Sequence, residues 1–384
     1  MDICKYELCS GCGVCSAVCP HGAIAMKADE EGFLRPEIYE DHCINCGLCT
    51  KECPVNTILK KAPEEVYAAY SKNAEVRKSS SSGGIFYSIA RAVIENGGVV
   101  CGAGFSCELR VVHKFADDEE TLRTLMGSKY VQSDIGEVYG KIREYKKAKR
   151  TVLFVGTPCQ CAAVRNYVGD CEEVICVDFI CHGVPTPLLW KKYVSEEFPD
   201  ATWASFRDKK RGWEEFSMRI DKSGGSYSCS QYKDPYLRMF LKNYALRPSC
   251  YKCSWKGDNY SSDITLADFW EISKYYPEMN DDKGVSVVII RSEKGRGLFE
   301  SVKGNLVCKK SDMDTVKRVN PAYVKSSGMA PERALFFRKI KDNESFRSIS
   351  KVFGKQMPAR QIFYLKSKTI AKKLICKVYK LKKQ

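Results

Sequence analysis

From residue 66 onward the chain alternates short apolar runs with amphipathic ones, and the period of the pattern changes from run to run. Val66–Tyr70 reads as a strand, and Ile85–Glu95 as a helix with Ile85, Ile89 and Val93 on one face. Strands are expected at Val99–Phe105 and Val111–Ala116, then helices over Asp118–Met126 and Ile135–Lys149. Thr151–Gly156 and Glu172–Cys181 are strongly apolar, which predicts strands buried on both faces. Between them Thr157 is a good N-cap and Pro158 a good first residue for a helix running through Cys161–Tyr167. Strand, helix and strand within about 30 residues predict a right-handed βαβ unit with parallel strands. Cys159 and Cys181 then share one carboxyl edge, where open α/β sheets bind ligands. Further on, a helix is expected from Pro187, strands across Trp203–Tyr227, and a helix over Pro235–Tyr244. Ile264–Ala267 and Val285–Arg291 read as core strands, followed by a helix at Gly295–Lys303 and a last strand at Leu306–Lys309.

Residues 9–54 follow a different logic. Cys9-x-x-Cys12-x-x-Cys15-x-x-x-Cys19-Pro20 repeats as Cys43-x-x-Cys46-x-x-Cys49-x-x-x-Cys53-Pro54. This is the two-cluster ferredoxin spacing, in which the fourth cysteine of each run ligates the other run's cluster. Cys9, Cys12, Cys15 and Cys53 are expected on one [4Fe–4S] cube, and Cys43, Cys46, Cys49 and Cys19 on the second. Tight turns let three thiolates converge while backbone amides face the sulfurs, and Gly11, Gly13 and Gly47 relax those turns. A zinc site calls for two pairs of cysteines rather than two runs of four. A disulfide framework does not suit a chain with nothing ahead of Cys4 to act as a secretion signal.

Composition agrees with that chemistry. The 384 residues suffice for two or three domains, and 21 cysteines without a signal peptide point to a reducing, cytoplasmic setting. No apolar run reaches the length of a membrane span. The net charge of +15 is unevenly placed: residues 1–58 carry nine acids and four bases, whereas residues 355–384 carry ten bases and no acid. No nucleic-acid motif accompanies the basic balance, so nucleic acid is not an expected partner.

Cys250-x-x-Cys253 is half a zinc site, a redox pair or two unrelated thiols when taken alone. Beside Cys159 and Cys181 it would complete a third [4Fe–4S] site, with Cys161 as the rival to Cys159; the helix end around Cys159 favours thiolate. His182, next to a proposed ligand, suits a proton donor or a structural role. The loop ahead of Ile85, ending in Ser82-Gly83-Gly84, suits an anion at a helix start or serves as a plain N-cap. Gly127–Ser133 is a polar loop that could cradle a cofactor, and Gly212-Trp213 reads as a turn with an aromatic lid.

Gly156-Thr157-Pro158-Cys159-Gln160, Cys181-His182-Gly183, Phe206-Arg207-Asp208-Lys209, Cys250-x-x-Cys253 and Asp263–Trp270 occur in one order. Together they resemble the family of coenzyme F420 hydrogenase/dehydrogenase beta subunits across residues 66–310, with the ferredoxin unit fused in front. Ser82-Gly83-Gly84 and Gly127–Val131 resemble that family's flavin-binding part. The resemblance implies FAD contacted by Ser82, Gly83, Gly84, Ser128, Lys129, Tyr130, Thr157 and Gln160. It places Arg207 and Lys209 before an anionic substrate. The family usually has glycine after Asp-Phe-Trp, where this chain has Glu271.

The expected class is α+β to α/β: a ferredoxin-like domain over 1–58, then a mixed α/β flavin-binding region with a partly parallel sheet. That region divides at 66–149 and 150–310, and a basic amphipathic tail follows over 335–384. Phe363, Ile370, Leu374, Val378 and Leu381 give the tail a helical apolar stripe, suited to an anionic membrane surface or to docking on the acidic front unit. The expected function is an Fe–S flavoprotein oxidoreductase that moves electrons between ferredoxin-type clusters, FAD and a small organic or deazaflavin-like acceptor. Its partners would be ferredoxin or another redox protein. A relay subunit of a larger hydrogenase or reductase, or an Fe–S scaffold or sensor, are the alternatives.

Overall fold

The structure, a computed structural model, describes residues Asp2–Leu381, apart from the side chains of residues 375 and 377–381. Val378 and Leu381 of the tail stripe therefore lie outside the described side chains. The front unit carries one antiparallel hairpin, β1 (Ile24–Ala28) with β2 (Leu34–Ile38). The body supplies β3 (Glu65–Ser71), β4 (Val99–Phe105), β5 (Val111–Ala116), β6 (Val152–Val155) and β7 (Val174–Phe179). A three-stranded antiparallel sheet follows, β8 (Ala201–Asp208), β9 (Ser217–Lys222) and β10 (Gly225–Ser230). β11 (Ile264–Asp268), β12 (Ser286–Ile290) and β13 (Leu306–Ser311) complete the set.

Eight strands form the main sheet in the order β13-β3-β12-β11-β7-β6-β4-β5. Its centre, β4-β6-β7-β11, is parallel, and its flanks are antiparallel. The βαβ unit forms as the pattern predicts: β6 and β7 pair in parallel from Val152↔Val174 to Val155↔Val177, with helix Pro158–Val168 between them. Alternation along a strand sends successive side chains to opposite faces. Val152, Phe154, Val174 and Cys176 pack under helices Val138–Lys147 and Pro158–Val168. Leu153, Ile175 and Val177 pack on the other face with Ile85, Ile89 and Val93 of helix Ile85–Glu95.

The front unit is seated in the body. Phe33 is buried in the same cluster as Trp190, Phe206 and Tyr236, and Cys12 and Val14 lie against Tyr139 and Ile142. Arg333 forks onto Glu31, and Tyr139 Oη donates to Cys12 O at 2.7 Å. The polar connector at residues 60–65 is pinned as well. Lys61 Nζ lies 2.8 Å from Asp263 Oδ1, and Asp263 is fully buried, with Arg165 Nη2 at 2.6 Å from its other oxygen.

Residues 333–353, nearly all of which the sequence assigns to the basic tail at 335–384, form two helices, Arg333–Lys341 and Phe346–Phe353. Phe336, Ile340, Phe346 and Ile349 bury beside Tyr193 and Tyr236. The basic helix is Ala359–Leu381. Among the described residues its ion pairs are with the body's loops rather than the acidic front unit: Lys366 pairs with Glu215, Lys372 with Glu214 and Lys373 with Asp282. Phe363, Ile370 and Leu374 face outward, 75%, 59% and 58% exposed.

Candidate cluster and cofactor sites

Two hollows in the front unit gather the eight cysteines in crossed quartets. One is lined by Cys19, Cys43, Cys46 and Cys49, the other by Cys9, Cys12, Cys15 and Cys53. The crossing arises because each run turns through a left-handed glycine, Gly13 or Gly47, into a one-turn helix, so its fourth thiol leaves on the far side. Backbone amides face the sulfurs: Ala23 N donates to Cys19 Sγ at 3.3 Å. The Cys43 hollow is the outer one, with Cys46 exposed. Burial raises the Cys12 thiol to about 11. Burial raises Cys15 as well, and buried thiols of this kind become thiolates beside metal charge, so the donor set fits iron–sulfur clusters. Cys4, to which the spacing assigns no role, lines the inner hollow, its thiol against Cys53 and Cys9. No spacing rule reaches it, because it stands five residues ahead of the run.

A third quartet forms where the βαβ unit places it. Cys159 opens the helix after β6, Cys181 follows β7, and Cys250 and Cys253 come from the turn around Pro248–Tyr251. Cys159, Cys181 and Cys250 each feel the charge of others in the set. Val184 N donates to Cys250 Sγ at 3.4 Å. Gly183 runs at φ +145°, and a Cβ there would meet Leu246 at 2.8 Å and Cys250 at 3.2 Å. Lys256 Nζ bonds the carbonyls of Cys181 and Ala322, which sets one cation beside the quartet. Cys161 turns away, its Sγ 3.4 Å from Val177 O and in the core beside Cys176. The expectation that the helix end lowers the Cys159 thiol is corrected: burial pushes it well up, against Thr157 Oγ1 at 3.0 Å, and the neighbouring thiols add to the rise. Among the described residues no group of three or more His, Cys, Asp or Glu is placed to hold one metal ion; the front thiols stand around hollows.

The loops expected to hold a flavin meet on the same sheet edge. Ser128 N donates to Ser81 Oγ at 2.7 Å, and Arg207 Nη1 reaches Tyr130 Oη at 3.2 Å while Nη2 reaches Ser81 O at 3.3 Å. Arg207 is balanced by Asp268, 2.8 Å away, but its buried Nε has no partner. Helix Ile85–Glu95 starts at left-handed Gly84 with no side-chain cap. An orphaned guanidinium N–H near an uncapped helix start fits a phosphate-bearing cofactor.

Other positions differ from expectation. Lys209 is not a free cation: its Nζ lies 2.7 Å from each of Arg77 O, Ser82 O and Lys283 O, and burial lowers it to about 7. It staples the Ser82 loop. Lys129 likewise caps the carbonyls of Leu125 and Met126 at 3.0 and 2.8 Å. Thr157 and Gln160 form a capping box, Gln160 Oε1 accepting from Thr157 N at 3.0 Å, and Gln160 Nε2 donates to Ser133 Oγ at 3.0 Å. Gly83 is required by packing, since a Cβ would lie 2.6 Å from Ala69 O. Trp213 is no lid: it is buried, stacked 4.9 Å from Trp270, and donates to Asp268 at 3.0 Å. His182 bonds Asn243 Oδ1 at 2.6 Å and stands edge-on to Phe240, which stacks on Tyr130. Burial holds its imidazole below the usual range. Sequence reasoning missed Asp178 on β7, fully buried, with Oδ1 bonded to Thr265 and Oδ2 unpartnered.

Among the described residues no helix is long and apolar enough to cross a membrane. Residues 8–57 match the 4Fe-4S dicluster domain, and residues 149–316 match the carboxyl terminus of the coenzyme F420 hydrogenase/dehydrogenase beta subunit. The chain is 24% identical over 325 residues to the F subunit of the F(420)H(2) dehydrogenase of Methanosarcina mazei, spanning 79% of this chain and 85% of that protein. A chain of the F420-reducing [NiFe] hydrogenase complex from Methanosarcina barkeri superposes with a TM-score of 0.49 at 16% identity, covering 69% of this chain and 90% of that one. One polypeptide thus joins a region that matches the 4Fe–4S dicluster domain to a region that matches the carboxyl terminus of the coenzyme F420 hydrogenase/dehydrogenase beta subunit.

Proposed function

We propose that this chain is an iron–sulfur flavoprotein oxidoreductase that passes electrons between its front clusters, a third [4Fe–4S] cluster, FAD and a small organic or deazaflavin-like acceptor. The observation that carries this reading is convergence. The thiols of Cys159, Cys181, Cys250 and Cys253 stand on the sheet edge that also gathers the Ser81–Gly84 loop, Tyr130 and Arg207. FAD would supply the change from two-electron hydride chemistry to single electrons. This chain's own part is positional. Arg207 and the helix start at Ile85 offer donors to phosphate, Lys209 and Lys129 hold the two loops in shape, and Phe240 separates His182 from Tyr130. The outer Cys43 quartet, with Cys46 exposed, is the port for a ferredoxin or another one-electron partner.

Anaerobically prepared protein should contain about twelve iron and twelve sulfide per chain and should take up FAD. A count near eight, unchanged by Cys250→Ser, removes the third cluster; failure to bind FAD removes the enzyme reading.

A second reading is a relay subunit, supported by the relative named as a subunit of an F420H2 dehydrogenase. A purified chain that reduces an acceptor unaided rules against it. The outward apolar stripe of helix Ala359–Leu381, in a segment with no acid, also supports peripheral contact with an anionic membrane surface.

A further inference from the structure

We propose that Arg247 is a shared internal counter-ion, standing between the inner front cube at Cys9 and the third cube at Cys250, and that it sets the energy of an electron on both. The half that concerns the third cube rests on the function proposed above.

Arg247 has no exposed surface. Its Nε donates to Cys9 O at 2.8 Å, Nη1 to Gln132 Oε1 at 2.9 Å and Nη2 to Leu34 O at 2.7 Å, with Nη2 3.8 Å from Cys9 Sγ. The three oxygen acceptors are neutral, which leaves Cys9 Sγ as the one acceptor that can carry charge. Among the described residues no carboxylate pairs with it; Asp29, which acts on it from farther off, is already bonded to Arg35 at 2.9 Å. A buried cation without a counter-ion is strongly destabilising, so a compensating negative charge belongs nearby. The sulfur ligands supply it. Cys9 lies on one side, and on the other Arg247 opens the short helix that carries Cys250, whose N–H bonds Arg247 O at 2.9 Å. A cube held by four thiolates is an anion in either oxidation state and gains one negative charge on reduction.

The two cysteine runs provide an internal comparison. Gly11 and Asn45 occupy the same place in their runs, one residue before the second cysteine, and both are left-handed, at φ 66° and 56°. Conformation alone therefore tolerates a side chain there. A Cβ at Gly11, however, would lie 2.5 Å from Arg247 Nη1 and 2.7 Å from Leu34 O. Glycine at 11 makes room for the guanidinium, and the outer hollow, which no arginine lines among the described residues, carries asparagine at the matching place.

The redox step is one electron lost by one cube and gained by the other, with no bond made and no proton moved. A one-electron donor protein, or dithionite in vitro, supplies it. The positive charge of Arg247 favours the reduced form of each adjacent cube.

The test is an EPR-monitored redox titration of full-length holoprotein, wild type against Arg247→Gln and Arg247→Lys, with the outer signal identified through Cys46→Ser. Arg247→Gln should make the inner cube at least tenfold harder to reduce, about 59 mV for a one-electron couple. The outer cube should not move. Arg247→Lys keeps the charge and should hold the inner cube within threefold of wild type. Equal shifts in Gln and Lys variants overturn the charge argument, as does an unmoved inner cube in an Arg247→Gln protein with full iron. Eight irons in the wild type with the inner shift intact overturns the shared half together with the third-cube reading, and twelve irons with no inner shift overturns the role of Arg247 alone.

Discussion

Arg207 Nη1 lies 2.8 Å from Asp268 Oδ2, a pair joining β8 to the end of β11 beneath the Ser81–Gly84 loop. Arg207 is also sandwiched by Phe216 and Trp270, 4.3 and 5.5 Å from the ring centroids. Asp268→Asn leaves this cation buried and unbalanced. It should cost about 3–5 kcal/mol, read as a lower urea midpoint. Arg207→Met combined with Asp268→Leu should cost less than the sum of the two single changes.

Cys159→Ser and Cys161→Ala separate neighbours with different surroundings. The first removes a thiol from the third quartet and should lower the iron count from about twelve toward eight. The second removes a sulfur buried against Val177 and Cys176 and should leave the iron count unchanged while lowering stability by about 1–2 kcal/mol. Iron analysis and denaturation of both variants check this.

Glu271 sits at φ 58°, left-handed, a conformation that favours glycine. A non-glycine residue there is strained by about 1–2 kcal/mol, and glycine returns part of that through unfolded-state entropy. Glu271→Gly should therefore raise stability by about 0.5–1 kcal/mol, seen as a higher Tm.

Burial raises the Asp178 carboxyl from 3.8 to about 7, against the Thr265 hydroxyl and Arg291, which lower it; Ser262, Asp263 and Tyr260 also face it. Between those two values the folded chain holds a proton that the unfolded chain has lost. Stability contributed by this group is present below the lower value and is lost as pH rises toward the upper one, by at most about 1.4 kcal/mol per pH unit. Asp178→Asn should flatten that decline in denaturation curves between about pH 4 and pH 7.

Phe363→Glu with Ile370→Glu places two charges on the outward stripe of the tail helix without touching the ion pairs at Lys366, Lys372 and Lys373. Cosedimentation with vesicles rich in phosphatidylserine should fall at least tenfold, while neutral phosphatidylcholine vesicles bind neither protein. Equal binding by the wild type and the double variant ends the membrane reading.

The most legible features were those whose chemistry is local. Two identical cysteine runs state their own crossed pairing, and the apolar runs around Thr157-Pro158 state the βαβ unit. Long-range partners were not legible. Lys209 looks like a cation awaiting a substrate until the fold sets three carbonyls around it. Gly83 looks like a ligand-binding glycine until Ala69 is seen behind it. Helices Arg333–Lys341 and Phe346–Phe353 were hidden because a basic segment masks the phenylalanines they bury.

The Lys61–Asp263 contact has a kinetic meaning. A front domain on a loose tether delivers electrons by swinging, and its rate falls as the solvent thickens. Here the tether itself is anchored to a buried carboxylate, so the separation between the inner cysteine hollow and the body is fixed by the fold. In the function proposed above, internal transfer would then be a hop over a constant distance, indifferent to viscosity, with only the encounter at the Cys43 side left to diffusion.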